Sequence, residues 1–195
     1  TGRLADGGSI APKLRALPSA ASLRWTSLYD PAPGLHRASA AVLLASGAED
    51  ASFPAALLLG TAASGPAGRT TLSLARHLEH DHATAWSLPV VQRFVEAQLG
   101  RSEPLVQLGA PRLADGLLVL DVLAGTPVAA EVLEGRGATT PLRWSTRPAR
   151  LKDGGRRVEA PAPDADVRVW LVNVLEADGS RISSAPSGSV PAAER

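Results

Sequence analysis

The stretch Val167-Arg168-Val169-Trp170-Leu171-Val172-Asn173-Val174-Leu175, continued by EADGSRISSAPSGSV to Val190, decides the reading of this chain. Its first nine residues alternate with the period of two expected of a β-strand. That alternation places Val167, Val169 and Leu171 on one face and Arg168, Trp170 and Val172 on the other. Gly179 then marks a turn, and Ser184, Pro186 and Ser187 lead into a last strand. The second face is too apolar to be fully solvated. Trp170 is therefore expected under a loop, at a module interface or on a partner.

Working outward, further strand-like segments alternate with Gly and Pro punctuation. GLLVLDVLAG (116–125) and PVAAEVLEG (127–135) precede the closing stretch, and PLRWST (141–146) and RRVEAP (156–161) flank RPARLKDGG as a hairpin. The first half offers a parallel series. Ala11-Pro12-Lys13-Leu14 recurs as Ala110-Pro111-Arg112-Leu113, a spacing of roughly 100 residues that suits one sandwich. ASLRWTSL (21–28) and ASAAVLLAS (38–46) read as strands, and AALLLG and TTLSLA read as a hairpin around TAASGPAG. QRFVEAQLGRSEPLVQL (92–108) reads as a closing strand, turn and strand, while TLSLARHLEH (71–80) also admits a helix.

The closing segment, through Val167, Val169, Leu171, Asn173, Gly179, Ser184, Pro186 and Ser187, resembles the end of a fibronectin type III or related immunoglobulin-like module. Val95, Ala97, Gly100, Ser102 and Pro104 follow the same pattern less closely. Two positions depart from it: Ala165 stands where the family often has an aromatic residue, and Arg93 where an inward apolar one is expected. The resemblance implies an all-β chain of two tandem sandwiches. Residues 1–108 would form the first, with an N-terminal extension and room for a short helix, and residues 109–195 the second. The family has no common activity, and its members are mostly spacers, adhesive modules and parts of extracellular or virion assemblies.

Composition limits the rest. Hydrophobic residues make up 45% and charged residues 20% of the chain, which suits a folded globular protein. The net charge of +1 argues against nucleic acid as a partner, because phosphate neutralisation needs a cationic excess. No run of about 18 apolar residues is present, so no membrane span is expected. Cysteine is absent, which excludes disulfides.

Few residues suggest chemistry. His77, His80 and His82, with Glu79 and Asp81, form the densest titratable cluster and are the candidate metal ligands. Neither helical nor strand geometry brings all three imidazoles together, so the expectation is no metal. Ala63–Thr70 resembles a degenerate phosphate loop, but Arg69 stands where a lysine is needed, and no cofactor is expected. No G-x-S-x-G elbow occurs, and Glu49-Asp50 lies in a loop-like stretch with no sign of a cleft. Arg143, Arg147, Arg150, Lys152, Arg156 and Arg157 form one charge-asymmetric segment that could meet an acidic partner. With Trp170 they are the candidate partner-binding residues.

These readings predict a non-enzymatic structural or assembly protein: a spacer, a virion tail or filament subunit, or a surface repeat. Its partners would be itself or other assembly subunits, at an extracellular, cell-surface or virion location. A glycan- or host-surface-binding module using Trp25, Tyr29, Trp86 or Trp144 is the alternative, and a metal-dependent enzyme the third.

Overall fold

A computed structural model describes residues 16–50, 53–78, 80–138 and 141–188; the side chain of His82 lies outside the description. The fold is mostly β. Its eleven strands form one mixed sheet in the order β1-β2-β10-β9-β6-β7-β8-β5-β3, with β11 on β9 and β4 on β5.

The strand-rich half follows from alternation and turn chemistry. Strands β5 (Leu117–Ala124), β6 (Ala129–Arg136), β7 (Arg143–Lys152), β8 (Arg157–Pro161) and β9 (Val167–Leu175) coincide with the apolar segments predicted above. The DGG signal turns β7 into β8, with Gly154 and Gly155 at positive φ. β7 pairs with β6 through Ala149 and with β8 from Arg150 onward, so it passes from one layer of strands to the other. Pro148 is tolerated because the outer edge of that part of β7 is unpaired.

The two layers enclose one core. Leu118, Leu120 and Val122 of β5 and Val158 and Ala160 of β8 meet Val132 of β6 and Trp170, Val172 and Val174 of β9. The opposite face of β9 is also covered. Val169 and Leu171 pack with Leu133, Trp144, Leu72, Leu74 and Leu59. β9 is thus buried on both faces, and its continuous apolar run is what such a strand requires. The strict alternation expected for it fails at one point. Gly135 pairs with Val169 but Arg136 with Val167, leaving Arg168 as the extra residue of a β-bulge. Val167 therefore packs against the core that holds Trp170 rather than beside Val169.

The first half departs from the expected sandwich. ASLRWTSL lies in helix α1 (Ser19–Tyr29), followed by the single turn α2 (Ala32–Leu35). AALLLG opens helix α3 (Ala55–Ala63), which Pro54 precedes; an Ala- and Leu-rich run has high helix propensity. QRFVEAQ belongs to helix α5 (Pro89–Gln98), with Pro89 at its first turn and Gly100 at positive φ beyond its end. There Val90, Val91 and Phe94 recur at helical spacing and face the core. The short α4 (His82–Trp86) lies between. Only β1 (Val42–Gly47) and β2 (Thr70–Ala75) are long strands, joined in parallel by α3. TTLSLA is thus a strand and not a helix, and the supposed hairpin is a crossover, as a parallel pair requires.

The short strands β3 (Gln107–Leu108), β4 (Arg112–Ala114), β10 (Arg181–Ser183) and β11 (Ser187–Gly188) complete the sheet. β10 joins the halves, pairing with β9 on one side and, at Ser183–Leu72, with β2 on the other. The hydrogen bonding therefore runs through both halves rather than closing each into a separate sandwich. A buried polar seam supports this joint. Ser183 Oγ donates to Asn173 Oδ1 at 2.6 Å and accepts from the Leu74 N–H at 2.9 Å, while Asn173 Nδ2 donates to the Leu74 carbonyl at 3.1 Å. Residues 11–14, the first copy of the repeated phrase, lie outside the described residues.

Candidate functional site

Among the described residues, β1 and β2 are the parallel pair, so their carboxyl ends lie side by side. In open α/β sheets, sites form beyond the carboxyl ends of such strands. The turn after β1 carries Glu49 and Asp50, and the turn after β2 carries Arg76, His77 and His80. They pair across the gap. Glu49 binds Arg76 Nε at 3.1 Å and His77 Nδ1 at 2.8 Å. Asp50 Oδ2 meets His80 Nδ1 at 3.0 Å.

The two contacts differ in surroundings. His77 is 69% exposed, while the Asp50 side chain is only 6% exposed and His80 is 43% exposed. The other Asp50 oxygen, Oδ1, accepts the Phe53 N–H at 2.9 Å, which fixes the carboxylate as the chain turns toward α3. The Phe53 ring lies 5.1 Å from the His80 ring, tilted by 32°. Next along the chain, Asp81 caps α4 by accepting from the Thr84 N–H at 2.7 Å and its hydroxyl at 2.6 Å. Gly47 lets the two turns approach. A Cβ at that position would stand 2.2 Å from the Leu78 carbonyl oxygen. The result is a shielded carboxylate that holds one nitrogen of a solvent-accessible imidazole. That arrangement fixes which ring nitrogen carries the proton.

The structure places the other sequence candidates as follows. His77 and His80 turn to different carboxylates, and His82 opens α4. Among the described residues, no three His, Cys, Asp or Glu side chains gather as a metal-ligand set. The phosphate-loop candidate leads into β2 and follows α3, so no helix start faces it. The cationic segment is divided. Arg147 bonds Glu134 and the Pro161 carbonyl, both at 2.6 Å, Arg157 bonds Glu159 at 2.8 Å, and Arg150 and Arg156 are exposed. Arg143 lines a separate cleft with Arg136 and Arg168. Trp170, for which the sequence leaves a loop, a module interface and a partner all open as cover, is 7% exposed inside the core because β9 is covered on both sides. Trp144 is buried too, Trp25 and Tyr29 lie together on α1 with ring centroids 5.6 Å apart, and Trp86 is 75% exposed.

The sequence reading places Asp50 in a loop-like stretch with no cleft, whereas the structure shields its side chain and pairs it with His80. The signal for that pairing was a strand ending in Gly47 followed by acids, with a second strand and a histidine 30 residues on. That signal becomes readable only once the intervening segment is recognised as a helical crossover. No protein-family profile matches the chain, and no curated protein matches it.

Proposed function

We propose that Asp50 and His80 are the acid–base half of a hydrolytic centre. The observation that carries this reading is the buried Asp50 carboxylate, oriented by the Phe53 N–H and paired with His80 Nδ1, at the ends of adjacent parallel strands. Acid before histidine matches the last two members of the chain order nucleophile, acid, histidine in α/β-hydrolases, an analogy of order alone. Asp50 holds the imidazole in the tautomer that leaves Nε2 basic. Nε2 then takes the proton of an attacking hydroxyl as that oxygen bonds the acyl carbon of an ester or amide. Asp50 stabilises the resulting imidazolium, and Nε2 returns the proton to the leaving group. A water molecule can supply the attacking hydroxyl, its proton passing to Nε2 as its oxygen bonds the acyl carbon.

The test is hydrolysis of p-nitrophenyl acyl esters by the protein. His80→Gln and Asp50→Asn should each lower the rate by about 10³–10⁴-fold. Unchanged turnover in His80→Gln would overturn the reading.

A second reading, non-enzymatic assembly, is favoured by a different observation. Among the described residues, helix α1 has no buried residue and exposes Leu23, Leu28 and Tyr29, and β1 pairs with β2 on one edge only. Short helices draw their stability from packing, and open strand edges recruit other strands. In this reading residues 109–195 are the immunoglobulin-like module, and the association surface lies on α1 and the edge of β1. Support for the module is the pairing of β4, β5 and β8 in one layer against β7, β6, β9 and β10 in the other. Sedimentation at high protein concentration tests it, and a monodisperse monomer would count against it.

A further inference from the structure

At the opposite end of the sheet from Asp50 and His80, three arginines line an open cleft of about 330 Å³. They are Arg136 at the end of β6, Arg143 at the start of β7 and Arg168 at the start of β9, with Gly137, Ala165 and Asp166 between them. Three features show that the cleft is built rather than accidental.

The first is the anchoring of Arg136. Its guanidinium donates to Glu134 Oε2 at 2.8 Å, to Ser145 Oγ at 2.7 Å and to Asp166 at 3.3 Å. Glu134 is itself buried, with a side chain 4% exposed, and is held from its other oxygen by Arg147. A buried carboxylate between two guanidiniums is costly to disturb, which makes Arg136 a fixed cation.

The second is the bulge. Without it, period-2 alternation would point residue 168 to the same face as Trp170. As the extra residue between the Val167 and Val169 pairings, Arg168 is re-aimed into the cleft. Gly188 keeps that backbone in place. It has φ of 90°, and a Cβ there would stand 2.2 Å from the Arg168 carbonyl oxygen.

The third is a like-charge conflict. Arg136 and Arg143 are direct cross-strand partners, a pairing that repels unless something neutralises it. Glu134, Asp164 and Asp166 all reach Arg136. Neither Arg143 nor Arg168 has a carboxylate within ion-pair distance among the described residues. Two cations from different strands therefore face one open space beside a third that cannot move away.

We propose that this cleft binds a tetrahedral dianion, a phosphate group, with Arg143 and Arg168 as its ligands and Arg136 as the fixed wall between them. A dianion satisfies both unpaired guanidiniums at once, whereas a single carboxylate would leave one charge uncompensated. Bidentate guanidinium donors match phosphate oxygens well. The group could be inorganic phosphate or the phosphate monoester of a small molecule.

Thermal denaturation and calorimetric titration with inorganic phosphate, glycerol phosphate and acetate, each against sodium chloride of equal ionic strength, test the proposal. Phosphate should stabilise the protein saturably at millimolar concentration. Arg143→Gln and Arg168→Gln should each weaken that binding by about tenfold or more. Arg150→Gln, at the exposed far end of β7, should leave it unchanged and controls for net charge. Tighter binding of glycerol phosphate than of inorganic phosphate would identify the monoester as the form recognised, and the reverse would identify the free ion. The proposal is overturned if sodium chloride reproduces the stabilisation, if acetate matches phosphate, or if both glutamine variants bind phosphate as the wild type does.

Discussion

Strands β9 and β1 are both apolar, yet the molecule treats them differently. β9 has neighbours on both edges and packed side chains on both faces, with Val169, Leu171, Val172 and Val174 fully buried. β1 lies at the end of the sheet, and five of its six residues are only half-buried. Its last residues lead directly to Glu49 and Asp50. The closed strand is enclosed by the core, and the open one ends beside the candidate site. Sites on strand ends and loops draw their precision from such a rigid neighbour.

The largest expected effect tests that division directly. Leu171→Ala removes a fully buried side chain from β9 and should cost about 3–5 kcal/mol in urea denaturation. Leu28→Ala, on the exposed face of α1, should stay within about 0.5 kcal/mol. Equal losses would break the contrast between a load-carrying half and an exposed one.

Next in size is the seam between the halves. Asn173→Ala strips the buried partners of Ser183 and of the Leu74 carbonyl, and should cost about 1–3 kcal/mol. A double-mutant cycle with Ser183→Ala should give a coupling above about 0.5 kcal/mol. Additive losses would mean that Asn173 and Ser183 hold Leu74 independently of each other.

Gly47→Ala sharpens the comparison at the candidate site. The added methyl meets the Leu78 backbone, so the turn bearing His80 has to shift. A stability loss of about 1–2 kcal/mol is expected, together with chemical-shift changes concentrated at residues 76–80 in NMR spectra. Changes spread evenly over β9 would show that the open end is not independent of the closed core.

The smallest effect concerns Glu176, in the turn between β9 and β10. Burial raises its pKa above the ordinary value, the charge of Asp178 adds to this, and Arg93 and the Val106 backbone oppose it. The folded state therefore holds this proton more tightly than the unfolded chain does. Stability falls as pH rises from the ordinary glutamate range through the higher folded value, and the deficit is complete above it. Glu176→Gln removes that slope. It should gain about 0.5 kcal/mol or less at neutral pH, allowing for solvent screening, and nothing at acidic pH where both states are protonated. Denaturation midpoints at the two pH values measure it.

The second half was legible because its strands announce themselves. Two-sided burial demands continuous apolar runs, and Gly154, Gly155 and Gly179 mark its turns. The first half was not. Ala and Leu fit helix and strand alike over so short a run as AALLLG, and the alternation in RFVEAQ also satisfies the helical spacing of Val90 and Phe94. One misread helix had a large consequence. Reading α3 as a strand turned a parallel crossover into a hairpin, which hid the convergence of Asp50 and His80 from turns 30 residues apart. The bulge at Arg168 was hidden for another reason: it depends on the pairing of β9 with β6, which no local pattern records. The partners of His77 and His80, which are Glu49 and Asp50, are distant in sequence, so local spacing could test the histidines only against one another.

The seam of Asn173 and Ser183 also acts as a key in a slot. An apolar contact between β2 and β10 would permit sliding by a fraction of a residue, since packing has no fixed direction. The donors and acceptors of the seam align in a single position. β2 is thereby indexed to β9, and the turn that carries His80 inherits its position from the most deeply enclosed strand of the molecule.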